Sequence, residues 1–111
     1  MMPNSIDEEV VEAIYNRAIS SREQGDTDEA FALFKQSAKQ GNVKSMGALG
    51  RAYCLGEGVE DDIVMGVAWL IKAAQHGLPQ AVKKSQHFEA DDPELYEQAS
   101  RVAQSLATSS E

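Results

Sequence analysis

The sequence predicts an all-α fold, a short right-handed superhelix of three stacked helical hairpins. The segment from Asp26 to Asn42 recurs in altered form from Asp62 to Leu78, with large apolar, alanine and glycine positions in register. A repeat of this length is typical of stacked helical arrays. Glycine, proline and capping residues bracket the helical segments, and no segment shows the apolar–polar alternation of a β-strand.

The first hairpin is predicted from two capping patterns. Ser5 with Glu8 forms a capping box, in which each side chain satisfies a backbone donor of the first turn, and the helix then runs to about Glu23. Asp26 with Glu29 begins the second helix in the same way. The residues predicted to face inward are Ile6, Val10, Ala13 or Ile14, and Arg17 or Ala18 in the first helix, and Ala30, Phe31, Phe34 and Ala38 in the second.

The middle hairpin is bracketed by an asparagine cap and glycine turns. Asn42 caps the third helix, and Gly56 and Gly58 suit a turn with positive φ angles. Asp61 or Asp62 caps the fourth helix, which ends before a further glycine. The residues predicted to face inward are Met46, Leu49, Gly50 and Tyr53 in the third helix, and Val67, Trp69, Leu70 and Ala74 in the fourth.

The last hairpin is marked by two prolines. Pro79 suits the first position of a fifth helix, where no amide donor is needed, and Phe88 is its predicted end. Asp92 then caps a sixth helix that has Pro93 as its first residue. The residues of the sixth helix predicted to face inward are Leu95, Ala99, Val102 and Leu106.

Charge and hydropathy disfavour several classes of function. The net charge of −8 argues against nucleic-acid binding, which needs clustered lysine and arginine. No apolar run is long enough to cross a bilayer, and the acidic N-terminus does not resemble a secretory signal, so we expect a cytoplasmic protein that does not bind membranes. The basic residues concentrate in 31–56 and 63–88, which contain no acid, and such segments predict either a basic patch or solvated helix faces.

The sequence contains no recognisable catalytic or metal-binding pattern. Its single cysteine, Cys54, has no evident activating neighbour and predicts a partly buried apolar residue. His76 suits the last turn of a helix, and the acids of residues 57–62 lack the spacing of a calcium loop and are better explained by helix capping. We therefore expect no enzyme, no cofactor and no metal.

Residues 45–81 resemble a known family of helical repeats. The residues that carry the resemblance are Leu49-Gly50, Tyr53, Gly56, Gly58-Val59, Asp62, Trp69-Leu70, Lys72-Ala73-Ala74, Gly77 and Ala81. They are similar to the Sel-one-like repeat, a relative of the tetratricopeptide repeat, although the family more often has alanine where this chain has Gly66. The resemblance suggests a single domain with a divergent first repeat in 5–41, the best-matching repeat in 42–77 and a capping hairpin in 78–107.

The resemblance implies a function in binding rather than catalysis. Such repeats bind proteins or peptides on a concave face, and the family shares no catalytic residues. The first hypothesis is therefore a non-catalytic adaptor. The alternative is an immunity or antitoxin-type protein that neutralises a cognate partner, which the small size and acidity of the chain also suit.

The concave face of stacked hairpins is lined by the first helix of each pair. Such a face would be more basic and aromatic than the chain as a whole, so we expect an acidic segment or a C-terminal carboxylate as its ligand. The alternative interpretation is that these charges keep an exposed face soluble. The residues predicted for this groove are Glu12, Tyr15, Ile19, Arg22, Lys44, Gly47, Arg51, Lys83 and His87.

Overall fold

The computed structural model describes residues 7–106, which form six α-helices and no strand. Consecutive helices pair as three hairpins, and the predicted all-α repeat fold is confirmed. The helices are α1 (Glu8–Glu23), α2 (Thr27–Lys39), α3 (Val43–Leu55), α4 (Ile63–Gln75), α5 (Pro79–Asp91) and α6 (Pro93–Ser105).

Four helices begin at the predicted capping residues. Asp26, Asn42, Asp62 and Asp92 each accept a hydrogen bond from the backbone N–H three residues further on, at distances between 2.8 and 3.2 Å. Each bond satisfies a donor that the first helical turn leaves without a partner, which stabilises a helix by about 1 kcal/mol. Local side-chain chemistry therefore defines where α2, α3, α4 and α6 begin.

The start of α1 differs from the prediction. The expected cap, Ser5, lies outside the described residues, as does Ile6, and Asp7 caps the helix by accepting a hydrogen bond of 2.9 Å from Glu9 N–H. The expected inward position of Val10 is wrong, because its side chain is 51% exposed, whereas Val11 is 5% exposed. Adjacent valines differ by about 100° around a helix, so only one of them can face the core.

The end of α5 also differs from the prediction. The helix continues beyond Phe88 to Asp91, because no residue in that interval disfavours helical geometry. Pro93 disfavours the helical conformation for the residue before it, and Asp92 is accordingly extended, with φ −147° and ψ 79°. A single residue therefore ends one helix and caps the next.

Helix α4 lies between two apolar cores. Trp69, Leu70 and Ala73 pack into the larger core, which α1, α2 and α3 share. The opposite face of α4 packs with α6 through Val67 and Ile71. A helix that is apolar on all sides is expected to be buried. The predicted inward residues Val67 and Leu70 are indeed buried, but they face different cores, while Ala74 is only half-buried.

The two helices of the middle hairpin approach most closely at a pair of glycines. A Cβ atom added to Gly50 would stand 2.9 Å from the carbonyl oxygen of Gly66, and one added to Gly66 would stand 2.9 Å from the carbonyl oxygen of Gly50. Neither position accepts a side chain unless the backbone of its neighbour moves. These glycines therefore set the spacing of α3 and α4.

The first two hairpins meet through a buried polar contact and a glycine turn. The hydroxyls of Ser37 in α2 and Ser45 in α3 lie 2.5 Å apart in the interior. Gly58, with φ +76°, packs so tightly on the backbone of Thr27 at the start of α2 that an added Cβ would overlap its carbonyl group. The α3–α4 turn therefore fastens the middle hairpin to the first one.

Candidate binding surface

A cleft of about 450 Å³ opens between the first helices of the three hairpins. We call it the basic cleft. Its floor is made of small and aliphatic residues, so helices α1, α3 and α5 leave a depression between them. A Cβ added to Gly47 would come within 2.7 Å of Leu78 Cδ2, so the glycine leaves room for that leucine. The floor residues are Gly47, Ala48, Leu70, Leu78 and Ala81.

Within residues 7–106, the basic cleft is lined by four cations and by no carboxylate. Arg22 of α1, Lys44 and Arg51 of α3 and Lys84 of α5 all contribute to its wall, together with Tyr15 and Gln80. The chain as a whole carries a net charge of −8, whereas the charged residues of this lining are all basic, and two of them pair with carboxylates at its edge. A concave site lined by one sign of charge concentrates the field and attracts ligands of the other sign.

One rim of the cleft is held by a small hydrogen-bond network between α1 and α3. Glu12 accepts hydrogen bonds from Lys44 Nζ at 2.9 Å and from Asn42 Nδ2 at 3.0 Å. The hydrogen bond from Lys44, followed by that from Asn42, lowers the pKa of Glu12, and the same contact with Glu12 raises the pKa of Lys44. Lys44 also lies 5.1 Å from the centre of the Tyr15 ring.

The other cations of the cleft have different partners. The Arg22 guanidinium lies 5.3 Å from the centre of the Phe34 ring. Arg51 pairs with Glu57 across 3.3 Å, and both side chains remain partly exposed. Lys84 forms no ion pair with any residue in the described part of the chain. Exposed ion pairs contribute little energy, so a ligand carboxylate can compete for these cations.

A second depression of about 380 Å³ adjoins the cleft, and we call it the apolar pocket. It shares Arg51, Leu70 and Lys84 with the cleft and adds Cys54, Leu55 and Phe88. Leu55 is 61% exposed, the largest exposed fraction among the large apolar side chains of residues 7–106. Burial raises the pKa of Cys54, so its thiol is held protonated.

The structure brings together five residues of the predicted groove. Tyr15, Arg22, Lys44, Gly47 and Arg51 line the basic cleft. Glu12 stands at its rim through the bond to Lys44, and Ile19 packs against the larger core instead. Lys83 and His87 are exposed on α5 but do not line the cleft.

The α5 residues that line the two depressions are Gln80, Ala81, Lys84 and Phe88. They follow each other at helical spacing, which places Lys83 and His87 about 100° away from Lys84 and Phe88 around the helix. Sequence reasoning missed Lys84 and Phe88 for this reason. The signal that could have identified them is Ala81, which belongs to the repeat pattern and sets the inward register of α5.

Other polar clusters have structural partners. Asp62 caps α4, and Glu57 pairs with Arg51, so half of the acids in residues 57–62 are accounted for by these contacts. His76 is exposed at the end of α4. Within residues 7–106, no group of three or more histidine, cysteine, aspartate and glutamate side chains is arranged to hold a metal ion. In the same residues no helix is both long and apolar enough to cross a membrane.

The molecule consists of antiparallel helix pairs with a repeated sequence, and a cleft lies between the first helices of the pairs. These features define an α-helical repeat protein. The family model of the Sel1 repeat matches residues 12–42 and 43–78, more than half of the sequence, and the chain belongs to this family. Sel1 repeats are generally protein–protein interaction modules and are typically non-catalytic. No curated protein matches the sequence.

Proposed function

We propose that this protein is a non-catalytic adaptor that binds an acidic segment of another protein in its basic cleft. The observation that carries the proposal is the charge of the cleft lining: among the residues that the structure describes, four cations and no carboxylate line it, in a chain with a net charge of −8. Membership of the Sel1 repeat family supports protein binding in general. The lining of the cleft supports this position for the general role and supports an acidic ligand.

The geometry of the cleft favours a carboxylate-bearing ligand over a neutral one. Charge-assisted hydrogen bonds from arginine and lysine to carboxylates are shorter and stronger than neutral ones. Arg22 is positioned against the Phe34 ring, and Tyr15 packs on the same ring with centroids 6.0 Å apart. Both side chains are therefore partly immobilised before a ligand arrives, which reduces the entropy lost on binding.

The chemistry of the described residues supports binding more than catalysis. A nucleophilic cysteine needs a lowered pKa, whereas burial raises the pKa of Cys54. The pKa of Glu12 is lowered and the pKa of Lys44 is raised mainly by the hydrogen bond between them, as expected for a structural pair. These two side chains stabilise the rim of the cleft. They do not form the pair of general acid and general base that acid–base catalysis requires.

The proposal can be tested by affinity capture from a lysate of the source organism. The cleft variant carries Arg51→Glu with Lys84→Glu, and the matched variant carries Lys35→Glu with Lys39→Glu on α2, an identical change in charge. We expect a partner that the parent and the α2 variant retain and the cleft variant loses, with unchanged melting curves. A partner lost only from the α2 variant would show that the outer face binds.

The identity of the captured partner addresses the alternative function. If it is a toxic enzyme whose activity is abolished by this protein, the immunity role applies, and the cleft would be its inhibitory surface. If it is a component of an assembly that stays active when bound, the adaptor role applies.

A further inference from the structure

We infer that the ligand segment carries a bulky apolar side chain close to an acidic one. The acidic side chain binds in the basic cleft, and the apolar side chain binds in the apolar pocket. This inference rests on the proposed function and specifies its ligand. The two depressions are continuous, because Arg51, Leu70 and Lys84 belong to the walls of both.

The walls on the two sides of this boundary differ in chemistry. The cleft contributes two further cations beyond Arg51 and Lys84, whereas the pocket contributes only Cys54, Leu55 and Phe88. A ligand that filled the cleft alone would leave Leu55 exposed at 61%. An apolar side chain that covers Leu55 and Phe88 would gain the free energy of burying both surfaces, and such anchors in pockets account for most of the affinity at many interfaces.

The shared cations limit the distance between the two ligand groups. Arg51 lies one helical turn before Leu55, and Lys84 lies one turn before Phe88, so the charged and apolar ends of the site are one turn apart on both helices. Four residues of a helix rise about 6 Å, close to the roughly 6.6 Å between alternate residues of an extended strand. The acid and the apolar residue should therefore be at positions i and i+2 of an extended segment, or i and i+3 or i+4 of a helix.

Leu55 is held in place for this role by the backbone. It is the last residue of α3, and Gly56 follows in the left-handed conformation with φ +73°. The glycine ends the helix and directs the chain away, so the leucine remains at the edge of the pocket. The chain has a matched comparison in Val10, another exposed apolar residue, which lines neither depression.

The test uses fluorescently labelled synthetic peptides and measures their binding to the full chain by anisotropy. The first peptide carries two glutamates and a leucine, and the leucine lies two residues from the nearer glutamate, as expected for an extended segment. In the second, serine replaces the leucine, and in the third, glutamines replace the glutamates. We expect the second and third peptides to bind at least about tenfold more weakly than the first.

Protein variants assign the effect of the leucine to the pocket. Leu55→Ser should weaken binding of the first peptide at least about tenfold and leave the second unchanged. Val10→Ser, the matched control, should leave both unchanged. Melting curves of both variants establish that they are folded, and Leu55→Met, which preserves an apolar side chain, should restore most of the affinity.

The outcomes separate this inference from the proposed function. Equal affinity of the leucine and serine peptides, or equal losses caused by Leu55→Ser with both, would overturn the apolar anchor while the acidic preference stands. Failure of all three peptides to bind would also overturn the inference. The capture experiment alone would then test whether the cleft binds a partner protein. Loss of the captured partner only from the α2 variant would overturn the proposed function and this inference together.

Discussion

The middle hairpin, α3–α4, is held together by its own interface, whereas the C-terminal hairpin, α5–α6, is held mainly by α4. In the middle hairpin the helices touch at Gly50 and Gly66 and share large buried residues. In the C-terminal hairpin, α6 packs more extensively against α4 than against α5. The buried residues of that hairpin are all small: Ala81 and Ser85 in α5, Ala99 and Ala103 in α6.

The difference shows what the repeat pattern encodes. The match to the family model ends at residue 78, just before α5 begins. In the middle hairpin, which lies within the match, Gly50 and Gly66 allow the two helices to approach each other closely, and buried residues of both helices pack into a shared core. Beyond it that close approach is lost, and each helix packs on the last complete hairpin. The pattern therefore describes a hairpin that supports itself.

The largest expected effect comes from removing the largest side chain of the middle hairpin. Trp69 is 3% exposed in the larger core, and Trp69→Ala should lower the free energy of unfolding by about 3–5 kcal/mol in urea melts. Tyr96→Ala, at a half-buried position beside the smaller core, should cost clearly less. Equal losses would contradict the difference between the two hairpins.

A second substitution tests whether α6 detaches as a unit. Val67 is fully buried between α4 and α6, and Val67→Ala should cost about 2 kcal/mol. Native-state hydrogen exchange should show a matching loss of protection in α6. Leu49→Val, in the larger core, should lower the global stability and leave α6 protection unchanged. If both variants lower α6 protection, α6 opens only when the whole chain unfolds.

A third test addresses the glycine contact in the middle hairpin. Gly66→Ala places a Cβ 2.9 Å from the Gly50 carbonyl oxygen and from Cys54 N, so backbone atoms must move. Overpacking costs about 1–3 kcal/mol and outweighs the gain of about 1 kcal/mol in helix propensity. Gly47→Ala meets only the flexible end of Leu78 and should be near neutral. A stabilised Gly66→Ala variant would disprove the close approach.

The smallest effect concerns the junction of the middle hairpin with α1. The pKa of Glu12 is lowered from its ordinary value of 4.5 by the hydrogen bond from Lys44, so their contact stabilises the fold above that pH. The contribution is lost as the pH falls through the lowered pKa. The stability difference between the parent and Lys44→Met should therefore vanish on acidification. Lys83→Met, which removes an exposed lysine elsewhere, should show no such dependence.

Much of the fold followed from local chemistry, whereas the error at Val10 arose where packing between helices decides. Caps such as Asp62 and stops such as Gly41 act on their own helix, so the sequence alone locates them. Val10 and Val11 are equally apolar, and only the packing of α1 on α2 selects Val11. The division of the domain into 5–41, 42–77 and 78–107 stays a prediction.

The site was less accessible to sequence reasoning than the fold. Tyr15, Arg22, Lys44 and Arg51 could be proposed from helical spacing on α1 and α3, even though the inward stripe of α1 was predicted with Val10 in place of Val11. The register of α5 is indicated locally only by Ala81, the α5 residue that belongs to the repeat pattern, and Lys83 and His87 were predicted where Lys84 and Phe88 lie. An exposed leucine such as Leu55 is common on protein surfaces. Only its position beside Phe88 in the apolar pocket indicates that it could contact a ligand.

The two-sided burial of α4 has a consequence for how the chain folds during synthesis. The ribosome completes α1 to α4 before α6 exists, so the larger core can form while Val67 and Ile71 still face water. We expect ribosome-bound chains in which α1 to α4 have left the exit tunnel, with a linker in place of α5 and α6, to fold these four helices and to bind holdase chaperones, and release should follow once α6 emerges. Replacing Val67 and Ile71 by serine in those stalled chains should abolish the chaperone binding. Formation of the final hairpin would then end the period in which the nascent protein exposes Val67 and Ile71 to water.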